Sequence, residues 1–366
     1  MRRFLLTMAA AMLLMSASAA PKPKISYTEA SQLTLLGKLI ATPGYPYHRV
    51  DTAKYKGFQD WENLEILESA GLAVAFKTNS SCIKVLTDYG QYEMPTNSNG
   101  IASRGYDLYI RNAQGQWQYA ESGVKSDKNL HDGKPLSLIS NLPQGTKECL
   151  LYLPLFAEEK SIKIGVDAGS TIEPLPRPFR HRIAFFGSSF THGTGCTRSG
   201  MAYPAQFERL TGFESLGFGM SGRCKMQPYF TAVLADAKDV DAFIFDAFSN
   251  PTPEQVKTRL IPFIETLQKA HPGVPIIFQR TIHRENTEFD LGRRKVEDDK
   301  LAMQDSMMYN VVLKRYNDVY YVRPYANTDD HNSTVDGIHP SQAGYTVWAR
   351  SLAAQVVPIL KRYGIE

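Results

Sequence analysis

Ser189 lies where a strongly apolar segment gives way to small residues. The segment 182–186 is followed by Gly187, Ser188 and Ser189, a pattern typical of a buried strand that ends in a sharp turn. In an open parallel sheet, ligands bind at the strand ends where such turns lie. A serine hydroxyl is a weak nucleophile until a neighbouring imidazole takes its proton. The sequence therefore predicts a nucleophile at Ser189 that needs a base from elsewhere in the chain.

The best candidate for that base is His339, which follows Asp336 by three residues. This spacing lets the carboxylate bond one ring nitrogen while the other nitrogen faces the serine, which holds the tautomer that a general base needs. His192 is nearer to Ser189 in sequence, but no carboxylate lies beside it to orient the ring. We interpret His192 as a wall residue of the substrate pocket, and we assign Asp336 and His339 as the acid and the base.

Two further residues follow predicted strands of the same half of the chain. Gly222 comes after the second strand and Asn250 after the third. A glycine lets its backbone N–H approach a reacting oxygen closely, and an asparagine amide can donate a hydrogen bond alongside it. These two residues suit an oxyanion hole.

Other polar residues admit two interpretations. His283 and Arg284 follow the fourth predicted strand and could contact substrate hydroxyls, although a salt-linked loop is slightly favoured. His331 follows Asp329 and Asp330, an arrangement that resembles a metal cluster, but we favour a solvated loop. We expect neither a metal nor an organic cofactor.

Two patterns of secondary structure divide the chain. Alternating or apolar runs separated by turn residues predict an antiparallel β-sandwich, jelly-roll-like, over residues 21–172. A Pro-rich linker is expected at 173–181, because proline cannot join a central strand. Strands then alternate with helices over 182–366, which predicts a three-layer α/β/α domain with a five-stranded parallel sheet. The predicted strands of that sheet are 182–186, 214–218, 242–245, 275–278 and 319–322.

The first twenty residues have the layout of a cleavable secretory signal. Arg2 and Arg3 precede an apolar stretch too short to span a bilayer, and small residues follow it. No cysteine precedes Cys82, so a lipid-anchored cleavage site is not expected. Removing residues 1–20 lowers the formal charge from +4 to +2, because two arginines and no acidic residue are lost. We expect a periplasmic or secreted protein with no integral membrane segment and no nucleic-acid partner.

The four cysteines leave two possibilities open. No CxxC pair occurs, which argues against a zinc site. Export would permit disulfides, and the simplest pairing keeps one bridge in each half, Cys82 with Cys149 and Cys196 with Cys224. Four buried free thiols are equally compatible with the spacing.

The order of these blocks resembles the SGNH or GDSL-type hydrolase superfamily, in which Ser, Gly, Asn and His occur in this order. The segment 336–341, Asp-Gly-Ile-His-Pro-Ser, matches the closing motif of that family, and 105–109, Gly-Tyr-Asp-Leu-Tyr, resembles the GxDLY motif of an N-terminal β domain fused to some of these esterases. The resemblance implies that Ser189 is the nucleophile and that Gly222 and Asn250 are oxyanion donors. The chain departs from the family pattern at Ser188, Gly217 and Pro251.

From the resemblance we expect a serine esterase that removes short acyl groups, O-acetyl above all, from carbohydrate through an acyl-enzyme. One alternative is a lipid or lysophospholipid acylhydrolase, since the segments around Met220 and Met226 are apolar. A peptidoglycan O-acetylesterase is another. An alternative of a different class is a carbohydrate-binding protein with an inactive hydrolase domain.

Overall fold

The structure is a computed structural model that describes residues 24–366. The predicted signal segment 1–20 lies outside the described residues. No helix within the described range combines the length and the apolarity needed to cross a bilayer.

The N-terminal half is built mainly from antiparallel strands. Its strands are β1 (Ile25–Glu29), β2 (Thr34–Leu36), β3 (Ala73–Thr78), β4 (Ile83–Tyr92), β5 (Tyr106–Arg111), β6 (Trp117–Gly123), β7 (Leu136–Ile139), β8 (Lys147–Tyr152), β9 (Ala157–Asp167) and β10 (Ile172–Pro174). Two short helices, α1 (Asp60–Glu65) and α2 (Gly100–Arg104), interrupt them. One sheet has the order β1-β9-β4-β7, and the other has β10-β3-β8-β5-β6 with β2 also paired to β3.

The two sheets enclose one hydrophobic core. Ile83 and Ile164 of the first sheet lie in the same buried cluster as Phe76, Leu108 and Leu151 of the second. Strands that bury alternate side chains between two sheets form a sandwich. The predicted antiparallel β-sandwich is therefore confirmed, and we call this half the β domain.

The C-terminal half alternates strands with helices. Its strands are β11 (Arg180–Gly187), β12 (Phe213–Gly219), β13 (Ala242–Asp246), β14 (Ile276–Gln279) and β15 (Val319–Val322). Its helices are α3 (Ser189–His192), α4 (Tyr203–Thr211), α5 (Pro228–Ala235), α6 (Pro253–Ala270), α7 (Leu291–Met307), α8 (Leu313–Arg315) and α9 (Gln342–Leu360). The five strands form one parallel sheet in the order β12-β11-β13-β14-β15. All five strands predicted for this sheet are present.

Both faces of the parallel sheet are covered. Successive residues of β11 point to opposite faces, so that Phe186 packs with Phe230 of α5 and Phe263 of α6, whereas Phe185 packs in a second cluster with Trp348 of α9. A parallel sheet is stable only when helices cover both of its faces. The expected three-layer α/β/α arrangement is confirmed.

The start of α6 shows why the sequence specifies these helices. The Thr252 hydroxyl accepts a hydrogen bond from the Gln255 N–H at 3.2 Å, and the Gln255 side chain accepts one from the Thr252 N–H at 3.0 Å. This reciprocal capping box satisfies donors that the first turn of a helix leaves unpaired.

The Pro-rich segment between the two halves is partly structured. Glu173 and Pro174 pair with β3 at the edge of its sheet, where the N–H that proline lacks is not required. Leu175 and Phe179 are buried against the outer face of that sheet, together with Leu150 and Tyr152. The chain between the domains is therefore packed along the β domain.

The segment 105–109 joins the two halves. Both carboxylate oxygens of Asp107 accept from the Arg198 guanidinium at 2.9 and 3.0 Å, and Oδ2 also accepts from the Gly200 N–H at 2.9 Å. The Tyr109 hydroxyl accepts from the same guanidinium at 3.0 Å. At Gly105, an added Cβ would lie 2.5 Å from the Ile101 carbonyl oxygen, so only glycine fits there. The motif thus anchors the loop that precedes α4 to the β domain.

Gly217, one of the departures from the family pattern, lies at a second contact between the halves. A Cβ built on Gly71 of the β domain would lie 2.7 Å from the Gly217 Cα. Because the two backbones meet this closely, a side chain at either position would force them apart. Glycine at position 217 is a consequence of the packing between domains.

Candidate active site

The candidate residues meet at the carboxyl-terminal edge of the parallel sheet. Ser189 follows β11, Gly222 follows β12 and Asn250 follows β13. Parallel strands present all their carboxyl ends at one edge, where ligands bind in such sheets. Asp336 and His339 lie in the loop between β15 and α9, and β15 belongs to the same parallel sheet, so this loop also begins at that edge.

A buried aspartate holds the turn that presents Ser189. Ser188 is the N-cap of α3, and its Oγ accepts from the Phe190 N–H at 3.2 Å. Asp246 Oδ2 in turn accepts from the Ser188 N–H at 3.1 Å and from the Ser188 hydroxyl at 2.5 Å. Burial raises the pKa of Asp246, although its hydrogen bonds oppose that effect. Asp246 therefore fixes the end of β11 and, with it, the direction of Ser189.

Ser189, His339 and Asp336 form a continuous hydrogen-bonded chain. Ser189 Oγ lies 2.9 Å from His339 Nε2, and His339 Nδ1 lies 2.7 Å from Asp336 Oδ2. Both distances are those of hydrogen bonds. With Nδ1 protonated and held by the carboxylate, Nε2 is free to accept the serine proton. The arrangement can activate a serine hydroxyl as a nucleophile.

The pKa of Asp336 is lowered to about 2. Partial burial alone would raise this pKa, but hydrogen bonds from the His339 backbone N–H, the Asn97 amide and the His339 ring outweigh it. The carboxylate is therefore ionised throughout the range in which a histidine base operates.

The local chain conformation sets the geometry of Asp336 and His339. Asp336 Oδ1 accepts from the N–H groups of Ile338 and His339 at 3.0 and 2.7 Å, which closes a tight turn. Gly337 has φ +81°, a value that favours glycine. The Phe190 ring packs edge-on against the His339 ring, with centroids 5.6 Å apart. The spacing of three residues thus corresponds to a turn that orients both side chains.

Three donors are available for an oxyanion. Ser189 is the first residue of α3, so its N–H has no acceptor within that helix. Gly222 lies in an exposed turn with φ +72°, and its N–H has no hydrogen-bond acceptor among residues 24–366. Asn250 Oδ1 accepts from the Cys224 N–H at 3.2 Å, which leaves the Nδ2 amide without an acceptor in the described part of the chain. These groups can stabilise a developing negative charge.

Sequence reasoning missed the contribution of Asn97. This residue lies in the loop between β4 and α2 of the β domain, and its Nδ2 donates to Asp336 Oδ2 at 2.9 Å. Nothing in the sequence pairs it with a residue 239 positions away. The cluster of Asn and Ser around it predicts a turn but no contact.

The interpretation of His192 as a wall of the substrate pocket is wrong. Its ring is buried, stacks on Phe156 with centroids 4.4 Å apart, and hydrogen-bonds the Leu155 carbonyl oxygen at 2.6 Å. Burial lowers the pKa of His192 to about 3, so the ring is neutral. The cavity that it does line, of about 20 Å³, has room for a single water molecule. His192 therefore joins the two domains in the interior.

His283 and Arg284 form the salt-linked loop that was the favoured alternative. Arg284 Nη1 pairs with Glu297 at 2.7 Å and Nη2 donates to the Ser249 carbonyl oxygen at 3.0 Å. His283 is exposed and lies 3.1 Å from Glu288. Arg284 thus ties its loop to α7 and to the segment after β13, and His283 pairs within its own loop.

The predicted disulfides are absent, and the alternative of four buried free thiols describes the structure. Cys196 and Cys224 belong to the clusters on opposite faces of the parallel sheet, so the sheet separates them. Cys149 lies in the sandwich core, whereas Cys82 Sγ contacts Asp167 at 3.3 Å.

No cluster of three or more His, Cys, Asp or Glu side chains suited to a metal ion occurs among residues 24–366. His331, which resembled part of such a cluster, pairs with Glu285 at 2.9 Å.

Comparison with known families and structures agrees with this architecture. A model of the GDSL-like lipase/acylhydrolase family matches residues 180–357, and a model of the GxDLY N-terminus of SGNH-hydrolase-type esterases matches 25–172. A search of curated proteins gave no match.

Several solved structures are similar over nearly the whole chain, among them the following three. A protein from Bacteroides ovatus described as a GDSL-like lipase is 36% identical, with a TM-score of 0.85 over 92% of this chain and 98% of that one. The salicylyl-acyltransferase SsfX3 of a tetracycline biosynthetic pathway is 18% identical, with a TM-score of 0.65 over 92% and 99%. A family two carbohydrate esterase from Cellvibrio japonicus is 13% identical, with a TM-score of 0.57 over 92% and 98%. The last two share the fold with this chain.

The parallel sheet, the β domain with its 105–109 motif and the identity to the Bacteroides structure together show that this chain belongs to the GDSL-like lipase/acylhydrolase family of SGNH-type esterases.

Proposed function

We propose that the protein is a serine esterase that hydrolyses short acyl esters, chiefly O-acetyl groups on carbohydrate. The hydrogen-bonded chain from Ser189 Oγ through the His339 ring to Asp336 Oδ2 carries this proposal. Family membership supports ester hydrolysis as the reaction class.

In the first step, Ser189 Oγ attacks the acyl carbonyl carbon while His339 Nε2 accepts the hydroxyl proton. Asp336, ionised because its pKa is about 2, stabilises the imidazolium that forms. The imidazolium then protonates the leaving alcohol oxygen as the C–O bond breaks. The product of this step is an acyl ester of Ser189.

The tetrahedral intermediate places a negative charge on the former carbonyl oxygen. The N–H groups of Ser189 and Gly222 and the Asn250 amide would receive it, since each is a donor with no competing acceptor in the described residues. The Cys224 N–H supports this role by holding Asn250 Oδ1, so that the Nδ2 face of the amide remains free.

A water molecule then hydrolyses the acyl-enzyme. His339 accepts a proton from the water as its oxygen attacks the acyl carbon, and it returns the proton to Ser189 Oγ when that C–O bond breaks. The net products are the alcohol and the carboxylic acid, and the residues regain their starting protonation states.

Two observations support a short acyl group on carbohydrate. Met220 and Met226, which made a lipid substrate conceivable, are buried in the core, with side chains at most 2% exposed. Several solved proteins with this fold are family two carbohydrate esterases, among them the one from Cellvibrio japonicus. Acetylated peptidoglycan falls within the same chemical class and is tested alongside plant and host glycans.

A carbohydrate-binding protein with an inactive hydrolase domain is less well supported. Ser189, His339 and Asp336 retain the hydrogen bonds of a working site. We also propose export to the periplasm or beyond, on the strength of the signal-like layout of residues 1–20.

The test is acetate release from a panel of acetylated glycans, including peptidoglycan, with long-chain p-nitrophenyl esters for comparison. We expect acetyl substrates to be preferred and Ser189→Ala to lose roughly 10³-fold or more of kcat. The matched control is Ser170→Ala, in the turn before β10, which should leave kcat unchanged. Full activity of Ser189→Ala would refute the nucleophile, and a preference for long chains would refute the acetyl substrate.

A further inference from the structure

Asn97 connects the β domain to the candidate catalytic residues of the other domain. Its Nδ2 donates to Asp336 Oδ2 at 2.9 Å and lies 3.3 Å from His339 Nδ1. Asp336 Oδ2 therefore accepts from the His339 ring and from the Asn97 amide together.

The residues after Asn97 hold its loop against the second domain. Ser98 Oγ accepts from the Gly195 N–H at 3.1 Å, and Asn99 Nδ2 donates to the Thr197 carbonyl oxygen at 2.9 Å. Asn99 Oδ1 also caps α2 by accepting from the Ala102 N–H at 2.9 Å. Three successive side chains thus bond across the domain boundary, and a regular helix fixes one end of the loop.

The chemistry of the amide determines what Asn97 can do. When His339 Nδ1 carries its proton, both Nδ1 and the Asn97 Nδ2 are donors, so both bond the same carboxylate oxygen rather than each other. The amide restrains the carboxylate in the position that orients the ring.

We propose that Asn97 is a positioning residue for the Asp336–His339 pair, so that the β domain forms part of the catalytic apparatus. This inference rests on the proposed ester hydrolysis by Ser189.

Among residues 24–366, the charged or titratable groups near the His339 ring are Asp336, Arg284 and Tyr345. Asp336 lies on the same loop as His339. The Phe190 ring packs between the His339 ring and Arg284, and Arg284 is paired with Glu297. The Tyr345 hydroxyl of α9 is buried and donates to the Thr194 carbonyl oxygen at 2.7 Å. A charge introduced at position 97 would therefore act on His339 with little compensation.

The experiment measures kcat and KM for p-nitrophenyl acetate against pH in the full chain. We expect Asn97→Ala to lower kcat by about 10- to 100-fold with KM nearly unchanged, the loss of one hydrogen bond to a charged group. Asn97→Asp preserves the shape but adds a carboxylate beside the ring, and we expect it to move the acid limb of kcat/KM up by about one pH unit. The control is Thr96→Asp on the same loop, an exposed position that makes no contact with the pair.

The outcomes separate this inference from the function itself. Unchanged kcat and acid limb in both Asn97 variants would overturn the positioning role, as would an equal shift of that limb in Thr96→Asp. Thermal unfolding of each variant shows whether lost activity reflects lost folding, and the isosteric Asn97→Asp keeps the test valid if Asn97→Ala is unstable. Undiminished activity of Ser189→Ala would instead refute the proposed function.

Discussion

Asp107→Asn tests whether the 105–109 motif holds the two domains together. The Asp107 carboxyl is fully buried and receives three hydrogen bonds from the second domain. The substitution keeps the volume of the side chain but removes its charge and turns one oxygen into an NH₂ group. That group would face the N–H donors of Arg198 and Gly200 and could not accept from them. We expect the free energy of unfolding to fall.

The magnitude follows from the partners that remain. The Arg198 side chain is only 17% exposed, so it loses its counter-charge in a largely dry environment. Breaking a buried ion pair costs about 3–5 kcal/mol. Arg198 keeps a hydrogen bond to the Tyr109 hydroxyl and its position over the Tyr119 ring, which offsets part of that loss. We expect about 2–3 kcal/mol, or a drop in Tm of roughly 3–4 °C for cooperative unfolding of a chain of this length.

Urea and thermal unfolding of the full chain provide the assay, with circular dichroism and tryptophan fluorescence as two probes. Asp299→Asn is the matched control, because it removes the same charge from an exposed pair with Lys295 on α7. Exposed pairs of this kind contribute little to stability, so the control should unfold close to the parent.

A double-mutant cycle with Arg198→Met isolates the pair itself. We expect the two substitutions together to cost clearly less than the sum of their separate costs. If Asp107→Asn unfolds within about 0.5 kcal/mol of the parent, or if the two costs simply add, the motif does not join the domains in the way described.

Three further predictions concern the site and its surroundings. Asp336→Asn should lower kcat by roughly 10³–10⁴-fold because the His339 tautomer is no longer held, and an effect below tenfold in steady-state kinetics would contradict that role. Asn250→Ala should lower kcat by about 10²–10³-fold with little change in KM, and a change confined to KM would argue against an oxyanion donor. Burial and the nearby Glu68 raise the pKa of Glu65 to about 9 from an ordinary value of 4.5, so the folded state binds the proton more tightly and stability is lost as pH rises between those values. Glu65→Gln should reduce this loss, which is on the order of 1 kcal/mol per pH unit, and urea unfolding at pH 5 and pH 8 should show a larger gain at pH 8.

Local patterns were sufficient to predict most of the fold. The strands around Phe186 and Phe245 are recognisable because runs of aromatic and β-branched residues are buried on both faces of a parallel sheet. The start of α6 could also be predicted from the sequence, since a capping box needs only residues three positions apart. The state of the cysteines could not be predicted, because their spacing along the chain contains no information about which side of a sheet each one occupies.

In the candidate site, too, short-range features could be predicted from the sequence and long-range contacts could not. Ser189 follows a strand, and Asp336 with His339 forms a tight turn, so both features are short-range and visible in the sequence. The prediction for His192 was wrong because proximity to Ser189 along the chain does not determine on which side of α3 the His192 ring lies. Burial against Phe156 of the β domain, a tertiary contact, decided its environment.

By itself, the sequence predicted the two-domain architecture, the parallel sheet and the serine, aspartate and histidine that the structure brings together, because each depends on patterns within a few residues. Only the tertiary structure decided that Asn97 hydrogen-bonds Asp336 and that Asp107 pairs with Arg198. These contacts join segments that are distant along the chain, and packing of the β domain against the sheet edge, rather than any local preference, brings them within hydrogen-bonding distance.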